Sequence, residues 1–239
     1  MNKEKILGFD VCTDSEEEVL KNIFQDYLNN EQLFIVNINP EIAVTNYKNQ
    51  EVKEKLNREK YQIPDGSGIV WASKKRKGNI KQRITGIDFL QKICEESCKY
   101  SAKIYLYGST QEIVQKAKNE LENSYPNIQI IGTKDGYCDK EEAIQDIKEL
   151  KPDILFVGLG SPKQEEFIIQ HKDELKSVKI FMPVGGSFDV VSKVKKRAPK
   201  WIIKIKLEWL YRLFQEPKRL FRQLKLVKFV YLVLRNKEN

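Results

Sequence analysis

Few residues of this chain have the types and spacing to do chemistry, and the sharpest group is Ile63-Pro64-Asp65-Gly66-Ser67-Gly68. It reads as a strand end, a tight turn and a helix start. Pro64 fixes one backbone angle, and Gly66 and Gly68 tolerate conformations that other residues avoid. Asp65 projects from that turn, where a carboxylate can act as a general base, grip a sugar hydroxyl or cap the following helix. Asn37 and Asn39 follow the apolar strand Leu33-Phe34-Ile35-Val36, and Pro40 is placed to open a helix. In parallel α/β sheets ligands bind at the carboxyl ends of strands. Capping and ligand contact are therefore both open for Asn39.

Arg83 stands just before the turn marked by Gly86. Its forked guanidinium suits a pair of diphosphate oxygens, and equally a surface salt bridge. Glycine turns follow three later strands, at Gly108-Ser109, Gly158-Leu159-Gly160 and Gly185-Gly186, with Lys163 and Gln164 opening the helix after the second. Together these form a floor for a diphosphate and a base. Alone they are a weak nucleotide signal, because the third glycine of the dinucleotide fingerprint and the GK[ST] of a P-loop are both missing.

Other chemistries find little support. Cys94 and Cys98 sit one helical turn apart, Cys12 and Cys138 lie far off in sequence, and His171 is the only histidine. No zinc-ligand spacing results, and no metal or other cofactor is expected. The first residues, Met1-Asn2-Lys3-Glu4-Lys5, lead into no long apolar run, and Phe229–Leu234 is too short to cross a bilayer. The expected location is cytoplasmic, peripheral on the inner face of the cell membrane.

The elements that must position these residues form a repeating pattern. Short apolar strands near Leu33, Tyr61, Lys103, Ile128, Asp153 and Lys179 alternate with helices, and Ile6–Val11 reads as a short strand or as half of a hairpin. This predicts an α/β fold, a Rossmann-like, mostly parallel sheet with helices on both faces, plus a C-terminal helical appendage. Residues 1–195 form the α/β catalytic body and 196–239 the appendage. The net charge of +8 is unevenly placed: from Lys193 onward there are 15 Lys/Arg against 3 Asp/Glu, while the remainder has 27 basic and 31 acidic residues. Such a tail seeks an anionic partner. It reads as an amphipathic helix after Pro199 and a second from Lys218 to about Leu234, with Arg219 and Arg222 on one face. The aromatic and aliphatic residues between suit packing on the body with membrane proximity.

Side by side, the blocks Asn39-Pro40-Glu41, Pro64-Asp65-Gly66, Arg83-Ile84-Thr85-Gly86-Ile87-Asp88, Gly158–Glu165, Val184–Asp189 and Arg197–Trp201 make the chain resemble the WecG/TagA/CpsF glycosyltransferases over nearly its whole length. The tail blocks Leu207–Leu213 and Glu216–Leu220 extend the likeness. The resemblance implies an inverting, metal-independent transferase of wall teichoic acid or surface polysaccharide biosynthesis. Its donor would be a UDP-sugar, UDP-N-acetylmannosamine foremost, and its acceptor the polyprenyl-diphosphate-linked N-acetylglucosaminyl-diphospho-undecaprenol. It implies Asp65 as the base, and Arg212, Arg219 and Arg222 as residues that close over diphosphate. Asn39, Gln164 and the glycine turns at Gly108, Gly160 and Gly185 would position the donor. Asn37 departs from the pattern, standing where characterised relatives carry threonine. Alternatives are another donor, such as UDP-glucose or a UDP-uronic acid, or a non-catalytic module binding anionic membrane or nucleic acid. The ordered blocks speak against nucleic acid, and the sequence leaves monomer and homo-oligomer both open.

Overall fold

Strands alternating with amphipathic helices build, in the computed structural model, a six-stranded parallel sheet covered on both faces. The structure describes residues 1–199, 201–202, 210–211, 213 and 220–236. It opens with an antiparallel hairpin, β1 (Lys3–Ile6) and β2 (Phe9–Cys12). The hairpin left open at Ile6–Val11 is present, but its turn falls inside that run, so the run spans the end of one strand and the start of the next. Leu7 and Gly8 both have positive φ, the geometry of a two-residue hairpin, and the chain reverses there.

Helix α1 (Glu16–Leu28) starts with a reciprocal capping box: Ser15 Oγ accepts from the Glu18 N–H, and the Glu18 carboxylate accepts from the Ser15 N–H at 2.9 Å. Then come β3 (Leu33–Ile38), α2 (Pro40–Thr45), α3 (Gln50–Asn57), β4 (Tyr61–Pro64), α4 (Ser67–Lys75) and α5 (Gly86–Ser97). The second half holds β5 (Lys103–Gly108), α6 (Gln111–Ser124), β6 (Gln129–Lys134), α7 (Lys140–Leu150), β7 (Ile154–Gly158), α8 (Lys163–His171), β8 (Ile180–Pro183) and α9 (Ser187–Val191). The strand order is β4-β3-β8-β7-β5-β6.

Alternation along each strand divides the core in two. Phe34, Val36, Tyr105, Tyr107, Leu155, Val157 and Phe181 face the hairpin, α2, α4, α7 and α8. Their neighbours Leu33, Ile35, Ile104, Leu106, Ile154, Phe156, Ile180 and Met182 face α1, α5, α6 and α9. With both faces buried, the strands carry almost no polar residue until their carboxyl ends.

Helix α5 begins at Gly86, with Thr85 as its N-cap residue and Asp88 in its first turn. Asp88 accepts from the Thr85 hydroxyl and, through both oxygens, from Arg197 Nη1 and Nη2 at 2.5 and 2.7 Å. Burial pushes the Asp88 carboxyl up, but the hydrogen bonds from Arg197 and Thr85 outweigh it and hold the carboxyl below its ordinary range. This bidentate pair ties the Arg197-Ala198-Pro199 segment to the first turn of α5.

Trp201, Ile202, Leu210, Tyr211 and Leu213 are helical; the rest of the helix read after Pro199 lies outside the described residues. The last helix, Leu220–Arg235, packs against α2 and α4. Its Phe229 is fully buried, which contributes about 1.5–3 kcal/mol relative to exposure. Lys225 Nζ lies 3.1 Å from both Glu41 Oε1 and Thr45 Oγ1. At the far end, Arg76 donates to the Asn236 carbonyl at 2.9 Å, and the Asn236 amide donates to the Tyr47 hydroxyl at 2.6 Å.

The β5 and β7 ladder ends with Gly108 beside Gly158. Gly108 has φ +134°, and a Cβ there would lie 2.4 Å from the Gly158 carbonyl carbon and oxygen. Strain and clash therefore coincide at this position. Gly108→Ala is expected to destabilise the protein by about 3 kcal/mol, read as a lowered midpoint in thermal or urea unfolding. An unchanged midpoint would show that the two strand ends need no such close approach.

Candidate active site

Asn37 pairs with Ile63 across the parallel β3–β4 ladder. Two-residue alternation then puts Asn37 and Asp65 on the same face of the sheet, at the carboxyl ends of their strands. The first residue of α5 comes down on this spot. A Cβ on Gly86 would lie 3.2 Å from Asn37 Nδ2 and 3.9 Å from Asp65 Oδ2, so amide and carboxylate flank one small space. The Asp65 turn is pinned on both sides: its N–H donates to the Ile38 carbonyl at 2.8 Å, and the Pro64 carbonyl accepts from the Ile84 N–H at 2.8 Å. The N-cap of α4 is Gly66, with no side-chain cap bond, so Asp65 is not the helix cap.

A cleft of about 620 Å³ opens over these strand ends. Of the residues singled out from the sequence, Asn37, Asn39, Asp65, Arg83, Gly160, Gln164 and Gly185 line it. Asn39 does both things left open for it: its Oδ1 accepts from the Ile42 N–H at 2.9 Å as the cap of α2, and the residue lines the cleft. Gly108 lies beneath the floor, at the close strand contact. Lys163 is exposed on the first turn of α8 and is not among the lining residues. Arg212 and Arg219 lie outside the described residues; Arg222 is on the last helix, with its side chain likewise outside them. His171 is at the other end of α8, where Nδ1 meets Glu174 Oε1 at 2.6 Å.

Ser109, Asp189 and Tyr137 also line the cleft, though none was a candidate side chain from the sequence. Ser109 follows the Gly108 turn, and Asp189 ends the Val184–Asp189 block. Asp189 Oδ2 accepts from Lys195 Nζ at 2.6 Å, and its Oδ1 is 3.4 Å from Ser109 Oγ. Tyr137 is 83% exposed and its N–H donates to Asp135 Oδ1 at 2.9 Å, which sets the ring on a tight turn at the cleft edge. An aromatic residue in a turn after a strand end was the available signal, and it is a common pattern without function.

The cleft favours negative charge through backbone more than through side chains. The N-terminal ends of α4, α5 and α8 reach it at Gly66, Thr85 and Ser161, and such ends attract anions. Arg83 is the one basic side chain among the described lining residues, against Glu41, Asp65 and Asp189. No group of three His, Cys, Asp or Glu side chains among the described residues is arranged to hold a metal ion.

Comparison with known proteins gives the chain's relatives. The family described as Glycosyl transferase WecG/TagA/CpsF family matches residues 4–239. A Staphylococcus aureus (strain MW2) protein named N-acetylglucosaminyldiphosphoundecaprenol N-acetyl-beta-D-mannosaminyltransferase is 36% identical over 239 residues, covering 98% of this chain and 93% of the relative. A Bacillus subtilis (strain 168) protein of the same name is 35% identical over 206 residues, covering 86% of this chain and 80% of the relative.

Behind the cleft, Gln164 is held by two bonds: its Oε1 accepts from the Gly185 N–H at 2.9 Å, and its Nε2 donates to Glu165 Oε1 at 2.8 Å. Glu165 is buried, and burial pushes its carboxyl above the ordinary range against the opposing pull of the Gln164 bond. A raised folded-state pKa favours the protonated form. Its stabilisation is complete below the unfolded-state value and is lost as pH rises through the folded-state value. Glu165→Gln keeps an oxygen for Gln164 and removes the titration. It is expected to gain stability over the parent at pH 8 relative to pH 4.5 in denaturant unfolding; an equal difference at both pH values would contradict the raised pKa.

Proposed function

The chain belongs to the WecG/TagA/CpsF glycosyltransferase family, and we propose that it transfers N-acetylmannosamine from UDP-N-acetylmannosamine to N-acetylglucosaminyl-diphospho-undecaprenol, with inversion and without a metal ion. The product would be a β-linked disaccharide lipid for wall teichoic acid or surface polysaccharide. The observation that carries this reading is Asp65, a carboxylate on the floor of a strand-end cleft, in a chain similar over 98% of its length to a transferase named for that reaction.

In this mechanism Asp65 accepts the proton of the acceptor hydroxyl. The acceptor oxygen attacks the anomeric carbon of the donor from the face opposite UDP and forms the glycosidic bond. The bond to UDP breaks with its electron pair, and UDP leaves as the anion. Arg83 and the helix ends at Gly66, Thr85 and Ser161 stabilise the growing diphosphate charge. A single basic lining residue is little for that task. Arg212, Arg219 and Arg222 are the residues assigned to supply the rest. Asn39, Gln164 and the turns at Gly160 and Gly185 position the donor.

A lipid-linked acceptor would be met at a membrane surface. Among the described residues no helix is long and apolar enough to cross one. The last helix instead offers a surface. Its inner side is docked on α2 and α4, while Leu224, Val227, Tyr231 and Leu234 repeat every three or four residues on the outer side, each more than half exposed. Lys228 and Arg235 are also exposed. This stripe with its basic flanks fits the surface of an anionic bilayer.

Incubating the protein with UDP-N-acetylmannosamine, a short-chain acceptor analogue and a chelator should yield the disaccharide lipid by mass spectrometry; no product, or product only with added metal, would refute the corresponding part of the reading. Asp65→Asn should lower turnover about 10²-fold or more with folding intact, and near-normal turnover would remove Asp65 as the base. Replacing Leu224, Val227, Tyr231 and Leu234 together by serine should abolish most sedimentation with phosphatidylglycerol vesicles at unchanged thermal stability. Undiminished sedimentation would rule this stripe out as the lipid-facing surface.

A further inference from the structure

We propose that Glu165 is a positioning residue for the donor: from behind the cleft it holds the Gln164 amide in the one orientation that fastens the Gly185 turn. Glu165 is 5% exposed and is not among the residues that line the cleft, so it acts through its neighbour. Gln164 does line the cleft. An amide side chain can sit in its site in two ways, with oxygen and nitrogen exchanged. The Gly185 N–H can only donate, so it takes the oxygen, at 2.9 Å. Glu165 Oε1 accepts, so it takes the nitrogen, at 2.8 Å. Each bond enforces the other. Without an acceptor at residue 165 the amide is oriented from one end only.

What this chain of bonds holds is the floor of the cleft. The Gly185 turn leads from β8 into α9, and Gly185, Gly186 and Asp189 line the cleft, as do Gly160 and Ser161 at the start of α8. Glu165, Gln164 and Gly185 therefore tie together the two strand-end loops that the proposed function gives to the donor, a reading on which this inference rests. Loops held in place before the ligand arrives bind it without a further ordering cost. The tie is kept at a cost to stability. Glu165 Oε2 is fully buried and has no hydrogen-bond partner among the described residues, and an apolar side chain would avoid that cost. What the carboxyl contributes is then its bond from Gln164. Burial pushes the carboxyl above its ordinary range. A proton on Oε2 leaves Oε1 accepting, so the bond to Gln164 persists in either protonation state.

The test is a double-mutant cycle read by calorimetric binding of UDP at neutral pH. Glu165→Leu, which fills the space without an acceptor, should bind UDP about tenfold more weakly than the parent, and Glu165→Gln, which keeps an oxygen for Gln164, should stay within about threefold of it. In a Gln164→Ala background Glu165→Leu should change the affinity by less than about twofold, because its route to the cleft is gone. Glu165→Asp, one methylene too short to reach Gln164, should match Glu165→Leu and takes its place in the cycle if the leucine variant does not fold. In the transfer assay these variants should raise KM for the UDP-sugar and leave KM for the acceptor lipid as in the parent. Parent-like UDP binding by Glu165→Leu or Glu165→Asp overturns the proposal. So does an equal loss in the Gln164→Ala background, which would mark a structural role independent of that amide. A parent that does not bind UDP refutes the donor of the proposed function and this inference with it. UDP binding that depends on residue 165 as stated, with no lipid product, refutes the transfer alone and leaves the positioning of a nucleoside diphosphate standing.

Discussion

Burial of both faces of one parallel sheet is the constraint on which this structure depends. Strands whose every side chain meets a helix or the hairpin can hold few polar groups, so β5, β7 and β8 are apolar nearly to their ends. Polar function is driven to the carboxyl ends, where the strands stop and the helices begin. Asn37, Asp65, Gly158 and Gly185 are all of this kind. The same constraint lets segments far apart in sequence reach a common space, because parallel strands deliver their ends to one edge of the sheet.

Two means are used to hold that edge open and ordered. One is close backbone approach: Gly108 against Gly158, and Gly86 against the Asn37 amide. The other is a set of side-chain clamps from outside the sheet. Arg197 grips Asp88 at the start of α5, the Gln164 amide holds the Gly185 N–H, and Lys195 holds Asp189. The blocks that look independent in sequence are therefore partners in space. The arginine of Arg197-Ala198-Pro199 is the counterion of the aspartate in Arg83–Asp88, and the glutamine of Gly158–Glu165 fastens the glycine loop after β8.

The charge economy follows from the same arrangement. A diphosphate needs positive potential, yet the described cleft has one basic side chain and three carboxylates among its lining residues. Helix N-termini give part of that potential without any desolvated cation. The basic excess of the chain lies instead beyond Lys193. The last helix brings it to the body at α2, where Lys225 meets Glu41, itself a cleft residue.

Much of this was legible from residue order. Alternating strands and helices, and glycine turns after strands, are local properties, and the six strands of the parallel sheet fall where the sequence reading put them. The first hairpin was legible only as half of one over Ile6–Val11; its turn at Leu7-Gly8 was not placed because the two strands are only four residues each. The sequence by itself determined the fold class, the ordered blocks and their family, since these depend on local periodicity and on residue identity. Tertiary structure alone decided which groups share the cleft and which bonds they have left. That Asp65 is free of the cap of α4, that Asn39 serves both cap and cleft, and that the Asn37 oxygen is buried without a partner all depend on strand order and on how closely α5 approaches β3. Those are distances between segments far apart in the chain, and no local pattern encodes them.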